Sequence, residues 1–289
     1  MKTVKGLHEK MGTFENANTS FHQAARCKRY TNEVLAFSMV KEEELLRATE
    51  EIQNLTYRQG EYKIFKVFEP KERLIMALPF YDRVVQHMIC NAIQPVFENG
   101  FYYHSYVCRS GKGMHAASDT LYQWMYETEV KQGLRMYAFK GDISKYFASI
   151  PHDKLKDENR RYIGDKKALM LMDDIIDHNG ILPDGVGIPV GNLTSQLFAN
   201  VYGNKLDKFC KHVLHIPYFV RYMDDFIILS DDLEQLKEWV KRIEEFLENE
   251  MLLHINPKST ILYAGNGIDF CGYIHYACLL YTSDAADEA

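Results

Sequence analysis

Phe219-Val220-Arg221-Tyr222-Met223-Asp224-Asp225-Phe226-Ile227-Ile228-Leu229 is the stretch that decides the fold. Two arms of β-branched and aromatic residues flank a polar pair, which predicts an antiparallel hairpin with Asp224 and Asp225 at its tight turn. Aspartate favours turns for a bland reason, because its side chain bonds to nearby backbone. Taken alone, the pair could be only that. A second apolar stretch, Tyr137-Ala138-Phe139-Lys140-Gly141-Asp142, also ends in a carboxylate. If a strand over 136–143 neighbours the hairpin, three carboxylates meet at one edge of a sheet. Buried carboxylates without partners repel, so a divalent cation is their natural occupant. Two such ions can activate an attacking hydroxyl and stabilise a leaving pyrophosphate.

Outward from the hairpin, residues 133–276 alternate between strand and helix. A helix begins near Thr194 and runs through Leu197, Phe198, Val201, Tyr202 and Leu206. Another, over 232–251, carries Leu233, Leu236, Trp239, Val240, Ile243, Phe246 and Leu247 at three- and four-residue spacing, with charges on the opposite face. A strand over 270–275 closes the set. This order predicts an α+β fold, a sheet with helices packed on one face. Upstream, residues 40–55 read as a helix behind Glu42-Glu43-Glu44, with Leu45, Leu46, Ile52 and Leu55 as its apolar side. Residues 61–79 read as extended, and a helix over 82–97 carries Val84, Val85, Met88 and Ile89.

The net charge of −6 is unhelpful for holding a polyanion, although half of it comes from Asp284, Asp287 and Glu288 in the terminal segment. Catalytic carboxylates themselves count against the balance, and a groove needs positive charge only locally. No apolar run is long enough to span a bilayer, and the start lacks a signal-peptide pattern. Six scattered cysteines without a CxxC pair read as reduced thiols of a cytoplasmic protein.

Tyr222-Met223-Asp224-Asp225 resembles the Tyr-x-Asp-Asp box of reverse transcriptases, their third palm motif. Asp142-Ile143-Ser144-Lys145-Tyr146-Phe147-Ala148-Ser149-Ile150 resembles the first palm motif. Gly187-Ile188-Pro189-Val190-Gly191-Asn192-Leu193-Thr194-Ser195-Gln196 resembles the second. The fourth is matched by Leu253-His254-Ile255-Asn256-Pro257-Lys258-Ser259-Thr260, and the primer grip by Phe270-Cys271-Gly272-Tyr273. Pro70-Lys71-Glu72-Arg73-Leu74-Ile75, Tyr81-Asp82-Arg83-Val84-Val85-Gln86 and Ser105-Tyr106-Val107-Cys108-Arg109-Ser110-Gly111-Lys112-Gly113 are similar to fingers segments of bacterial members. The resemblance covers roughly 14–276, with the motifs in family order.

It implies a right-hand polymerase: fingers over 1–133, and a palm over 134–277 with a fingers insertion around 155–185. The palm would be a ferredoxin-like antiparallel sheet, and the thumb would be missing. Asp142, Asp224 and Asp225, with the carbonyl of Ile143, would hold two Mg2+ ions, for which Mn2+ can substitute. Phe147 matches the aromatic gate against a ribose 2′-OH, and Gly191 the backbone close to the templating base. Lys71, Arg73 and Val190 would face the incoming nucleotide, while Arg109, Lys112, Gln196, Phe270 and Gly272 would hold template and primer. Lys258 would donate a proton to pyrophosphate. The implied partners are an RNA template, a DNA or RNA primer and deoxynucleoside triphosphates, with no membrane, in a bacterial or phage-encoded setting.

The second motif departs from the commoner Gln-Gly and Ser-Pro, having Val190-Gly191 and Ser195-Gln196. In this it resembles reverse transcriptases of diversity-generating retroelements, which miscopy template adenines and work with a small basic accessory protein. A retron-type or other bacterial reverse transcriptase is the alternative within the family. From other classes come a non-polymerising, RNA-binding maturase-like protein, which would not need clustered carboxylates, and a cyclase, which would not need the template cations Lys71 and Arg109. Residues 278–289 resemble a translated sequencing adapter. That resemblance implies a gene cut near Ala277, where a thumb should begin, and a tail that packs against nothing.

Overall fold

The computed structural model describes residues 3–68, 72–277 and 280–282, and the chain divides into two units. The first comprises Met1–Gly100 with Ile150–Val201, the second Phe101–Ser149 with Tyr202–Ala289.

In the first unit, helices Phe14–Ala24, Lys41–Gln53 and Phe80–Glu98 form the core. Glu42, Glu43 and Glu44 fill the first turn of Lys41–Gln53, where negative charge suits the helix dipole. Leu45, Ala48 and Ile52 are buried along its inner stripe. Leu46, expected in that stripe, is exposed, because one residue along a helix turns about 100° away from it. Leu55 lies beyond the helix end in a left-handed conformation (φ 57°). Val84, Val85, Met88 and Ile89 are fully buried, as their spacing predicts.

Strands β1 (Lys63–Phe68) and β2 (Glu72–Ala77) form an antiparallel ribbon running from Lys63↔Ala77 to Phe68↔Glu72. Only Met76 of the ribbon is buried. Helices His152–Tyr162 and Lys166–Asp177 follow, the second capped by Asp165, which accepts from the amides of Lys167 and Ala168.

The second unit is built on four antiparallel strands: β3 (Tyr137–Asp142), β4 (Tyr218–Tyr222), β5 (Asp225–Ser230) and β6 (Thr260–Tyr263), in the order β4-β5-β3-β6. Pairing β3 with β5 places Ala138 opposite Leu229, Lys140 opposite Ile227 and Asp142 opposite Asp225. Directly paired residues share a face. On that face Ala138, Val220, Ile227 and Leu229 bury against Ala117, Leu121 and Met125 of helix Met114–Met125. The opposite face carries Phe139 and Phe219, each in ring contact with Phe226. Helix Leu233–Phe246 lies against β3 and β5; Asp232 caps it, and its last turn widens into a π-helical Leu247–Met251.

Helix Leu193–Lys208 is where the sequence placed it. The expected strand over 270–275 is instead a hairpin. Strands β7 (Ile268–Phe270) and β8 (Tyr273–His275) are joined at Cys271 and Gly272, both left-handed (φ 54° and 77°), the geometry of a two-residue hairpin turn. A third strand, β9 (Leu280–Thr282), pairs with β8. For 280–282 that corrects the expectation of a tail that packs against nothing, since backbone groups at a strand edge pair whatever the side chains are; the rest of 278–289 lies outside the described residues. Among the described residues, no helix is long and apolar enough to cross a membrane, and none of the five described cysteines forms a disulfide.

Candidate catalytic site

The β4–β5 turn consists of two residues, Met223 and Asp224, between the paired Tyr222 and Asp225. Met223 is left-handed (φ 59°), at the first central position where such turns usually carry glycine. A side chain there is strained, by about 1–3 kcal/mol, and persists only where surrounding structure dictates it. Here the turn is tied on two sides. The amide of Ile143 donates to the Asp224 carbonyl at 3.2 Å. The Met223 carbonyl accepts from Nη1 of Arg221 at 2.8 Å.

Asp142 is held by a segment the sequence did not credit with that task. Its carbonyl accepts from the Asn256 amide (2.7 Å), its Oδ2 from Nδ2 of Asn256 (2.5 Å), and its amide donates to Oγ of Ser259 (3.0 Å). Ile143 also bridges to Ile255. Asn256 and Ser259 flank Lys258, whose side chain is exposed while its amide donates to Oδ1 of Asn256.

The three carboxylates thus sit at one end of the sheet, and they interact. Burial first, then the negative charges of Asp224 and Asp142, push the Asp225 carboxyl up to about 6, against a smaller opposing effect from Lys140. Among the described residues, no three His, Cys, Asp or Glu side chains already close around one point. The donor set nevertheless fits a divalent cation: oxygen ligands whose mutual repulsion raises a carboxyl's proton affinity are those a positive ion would relieve. Beside Asp225 lies a pocket of about 250 Å³ whose lining includes Lys140, Tyr222, Phe270, Cys271 and Gly272. Lys140 forms an ion pair with Asp269 at 2.7 Å. Burial, then Asp225 and Asp269, raise the Cys271 thiol to about 12.

The remaining expected residues fall into three groups. Phe147 is half-buried in the short helix Tyr146–Ser149 of the same unit, with the buried Tyr146 edge-on to it. Arg109 is turned into its own loop, donating to the carbonyls of Tyr102 (2.6 Å) and Ser105 (2.7 Å). Lys112 donates to the Tyr103 carbonyl and lies over the Tyr103 and Tyr106 rings. In the first unit, Val190 accepts from the Met76 amide at 3.0 Å, docking its loop on β2. Gly191 (φ 114°) follows, and a Cβ there would stand 3.0 Å from the Ile75 side chain, so strain and space both favour glycine. Arg73 is exposed two residues along β2 from Ile75, on the same face of the ribbon. Gln196 is half-buried, its amide donating to the Asn192 carbonyl. Lys71 lies outside the described residues.

Sequence reasoning missed Asp207 and Arg221. Both are fully buried, with Nε and Nη2 of Arg221 donating to the two carboxylate oxygens of Asp207 at 2.6 and 2.7 Å. Burial opposes the guanidinium charge, yet Asp207 first, with Tyr146 and Asp224, together more than offset it and hold Arg221 above its usual range. The available signal was an arginine inside an apolar strand.

Comparison with known proteins bears on the family and the fold. The family model described as reverse transcriptase (RNA-dependent DNA polymerase) matches residues 66–275. Protein YkfC of Escherichia coli (strain K12) is 25% identical, over 66% of this chain and 60% of its own. A protein described as an uncharacterized 91 kDa protein in cob intron, from Schizosaccharomyces pombe, is 29% identical over 46% of this chain and 16% of its own. The fold is shared with telomerase from Candida albicans, solved in complex with a fragment of telomeric RNA. There the TM-score is 0.58 at 12% identity, over 78% of this chain and 47% of that one. The chain therefore spans less than two thirds of each relative. With its family model matched across most of its length, the chain belongs to the reverse transcriptase (RNA-dependent DNA polymerase) family.

Proposed function

We propose that this chain carries out RNA-templated DNA synthesis, with Asp142, Asp224, Asp225 and the Ile143 carbonyl as the ligands of two Mg2+ ions. The observation that carries this reading is the meeting of three carboxylates at one sheet end, with Asp225 raised to about 6 by burial and by its neighbours. Bound divalent ions would supply Lewis acidity at the reacting phosphate and lower the proton affinity of the primer 3′ hydroxyl. The chain's own residues hold the geometry. Asn256 and Ser259 orient Asp142. Phe147 would exclude a ribose 2′-OH, and Lys258, whose side chain is exposed, would give a proton to departing pyrophosphate. Arg73, exposed on the open ribbon, would offer a cation to the triphosphate. Phe270 and Gly272, lining the pocket beside Asp225, suit the primer end.

Within the family we place the chain with the error-prone retroelement enzymes, on Val190-Gly191 and Ser195-Gln196, acting in the cytoplasm with a basic accessory protein. Valine lacks the amide by which glutamine could hydrogen-bond near an incoming nucleotide. Val190→Gln should therefore lower misincorporation opposite template adenine, and equal error spectra would count against the subclass. A relative found in an intron favours a second reading, a maturase-like RNA binder that does not polymerise. Primer extension on an RNA template with Mg2+, with and without template, decides between them: template-dependent extension supports polymerisation, and tight RNA binding without extension supports the binder.

A further inference from the structure

Arg221 stands on β4, two residues before the turn that presents Asp224, and its side chain is fully buried. Four of its contacts converge on that turn and its frame. Nε and Nη2 grip Asp207, Nη2 also donates to Oγ of Ser105 at 3.2 Å, and Nη1 donates to the Met223 carbonyl at 2.8 Å. Its backbone is fixed as well, with its amide donating to the His104 carbonyl (3.0 Å) and its carbonyl accepting from Tyr106 (3.1 Å).

A second observation comes from the facing helix. Gly203 sits within Leu193–Lys208, a place where glycine weakens a helix. A Cβ there would lie 2.6 Å from Nη1 and 2.8 Å from Cζ of Arg221, and 3.0 Å from the hydroxyl of Tyr146. The missing side chain is what leaves room for the guanidinium. Asp207, one helical turn further on, supplies the charge that holds it there.

We propose that Arg221 is a positioning residue for the carboxylate turn: seated in the Gly203 slot and clamped by Asp207, it pulls on the Met223 carbonyl and so enforces the left-handed residue that aims Asp224. A neutral or smaller partner at 221 would leave that carbonyl without its charged donor, and the turn would relax toward conformations an L-residue prefers. The proposal rests on the reading of Asp224 as a metal ligand in polymerisation. It also makes a claim about the turn that holds without catalysis.

The test uses the full chain with 13Cε-methyl methionine labelling, Met223 being assigned through Met223→Leu. Lysine cannot reproduce the fork that grips Asp207 and Met223 together. Arg221→Lys should shift or broaden the Met223 signal while the other methionine signals stay in place. In primer extension with Mg2+, kcat should fall by about a hundredfold with the nucleotide KM within about threefold, because a misplaced carboxylate loses chemistry rather than binding. If Arg221→Lys does not fold, Gly203→Ala keeps both charges and fills the slot. It should move the same signal and lower kcat by about tenfold. An unmoved Met223 signal with unchanged kcat in whichever variant folds overturns the proposal, as does a KM rise at constant kcat. If the wild-type chain extends no primer, the polymerase reading fails, while the Met223 signal still decides whether Arg221 sets the turn.

Discussion

The β3–β5 sheet end and the β1–β2 ribbon are both antiparallel pairings of six residues, yet they are built in opposite ways. At the sheet end, paired side chains are buried on both faces, and the turn is held by Ile143, Arg221 and the Asn256 segment. On the ribbon, Ile64, Phe65, Phe68 and Leu74 are exposed, and the pairing is supported mainly by its own hydrogen bonds. A two-stranded ribbon alone is marginal in water. The contrast follows from what each would carry. Carboxylates that share a cation must be fixed against their own repulsion, whereas a cation that meets a mobile triphosphate must be reachable from solvent.

The largest effect belongs to the sheet end. Asp224→Asn should lower primer extension by about a thousandfold or more while the melting temperature moves by no more than about 2 °C, since a ligand charge is lost and no packing is. Extension at the wild-type rate with Mg2+ would remove Asp224 from the site.

Next comes packing. Ile228→Ala, at a position with no solvent exposure, should cost about 2–5 kcal/mol in urea unfolding. Ile64→Ala on the ribbon should stay within about 0.5 kcal/mol. Equal losses would mean the two pairings are supported alike.

The third prediction concerns protons. Asp225 ionises at about 6 in the folded chain, above the usual 3.8, so the fold holds this proton more tightly than the unfolded chain does. The resulting stability is full below about pH 4 and is lost as pH rises through about 6, by at most about 3 kcal/mol. Urea melts across that window, without divalent ions, should show the decline. Mg2+ should flatten it, and Asp225→Asn should abolish it. A stability that climbs over the same window would show that Asp225 is not held protonated.

The smallest effect is assigned to the ribbon. Arg73→Ala should raise the nucleotide KM about fivefold with kcat nearly unchanged, and the difference should shrink in high salt. A kcat loss without a KM change would place Arg73 nearer the chemistry than its exposed strand suggests.

The hairpin, the partner strand and the long amphipathic helix were legible because alternation and three-to-four spacing are local properties of the chain. The meeting of Asp142 with Asp225 was legible only as a conditional, since register is a tertiary property. The Cys271–Gly272 turn could have been read from its glycine, but continuous apolar residues on both sides suggested one strand. Arg109 and Lys112 were read as template and primer contacts because nothing in a sequence says which carbonyls a loop will turn inward. Arg221 and Asp207 were invisible for a similar reason. They are 14 residues apart in sequence, and only the folded helix and strand place them face to face.

The thiol at Cys271 bears on how the molecule can be labelled. It lines the pocket beside Asp225, but with its proton held up to about 12 it offers almost no thiolate at neutral pH, the form a maleimide attacks. Cys90 and Cys210 are buried, whereas Cys27 and Cys108 are exposed, the Cys108 thiol being pushed up by desolvation. Among the described cysteines, a thiol-directed fluorophore should therefore settle early on Cys27 and leave the carboxylate pocket unmodified. The native sequence then supplies its own attachment point for optical measurements of nucleic-acid binding.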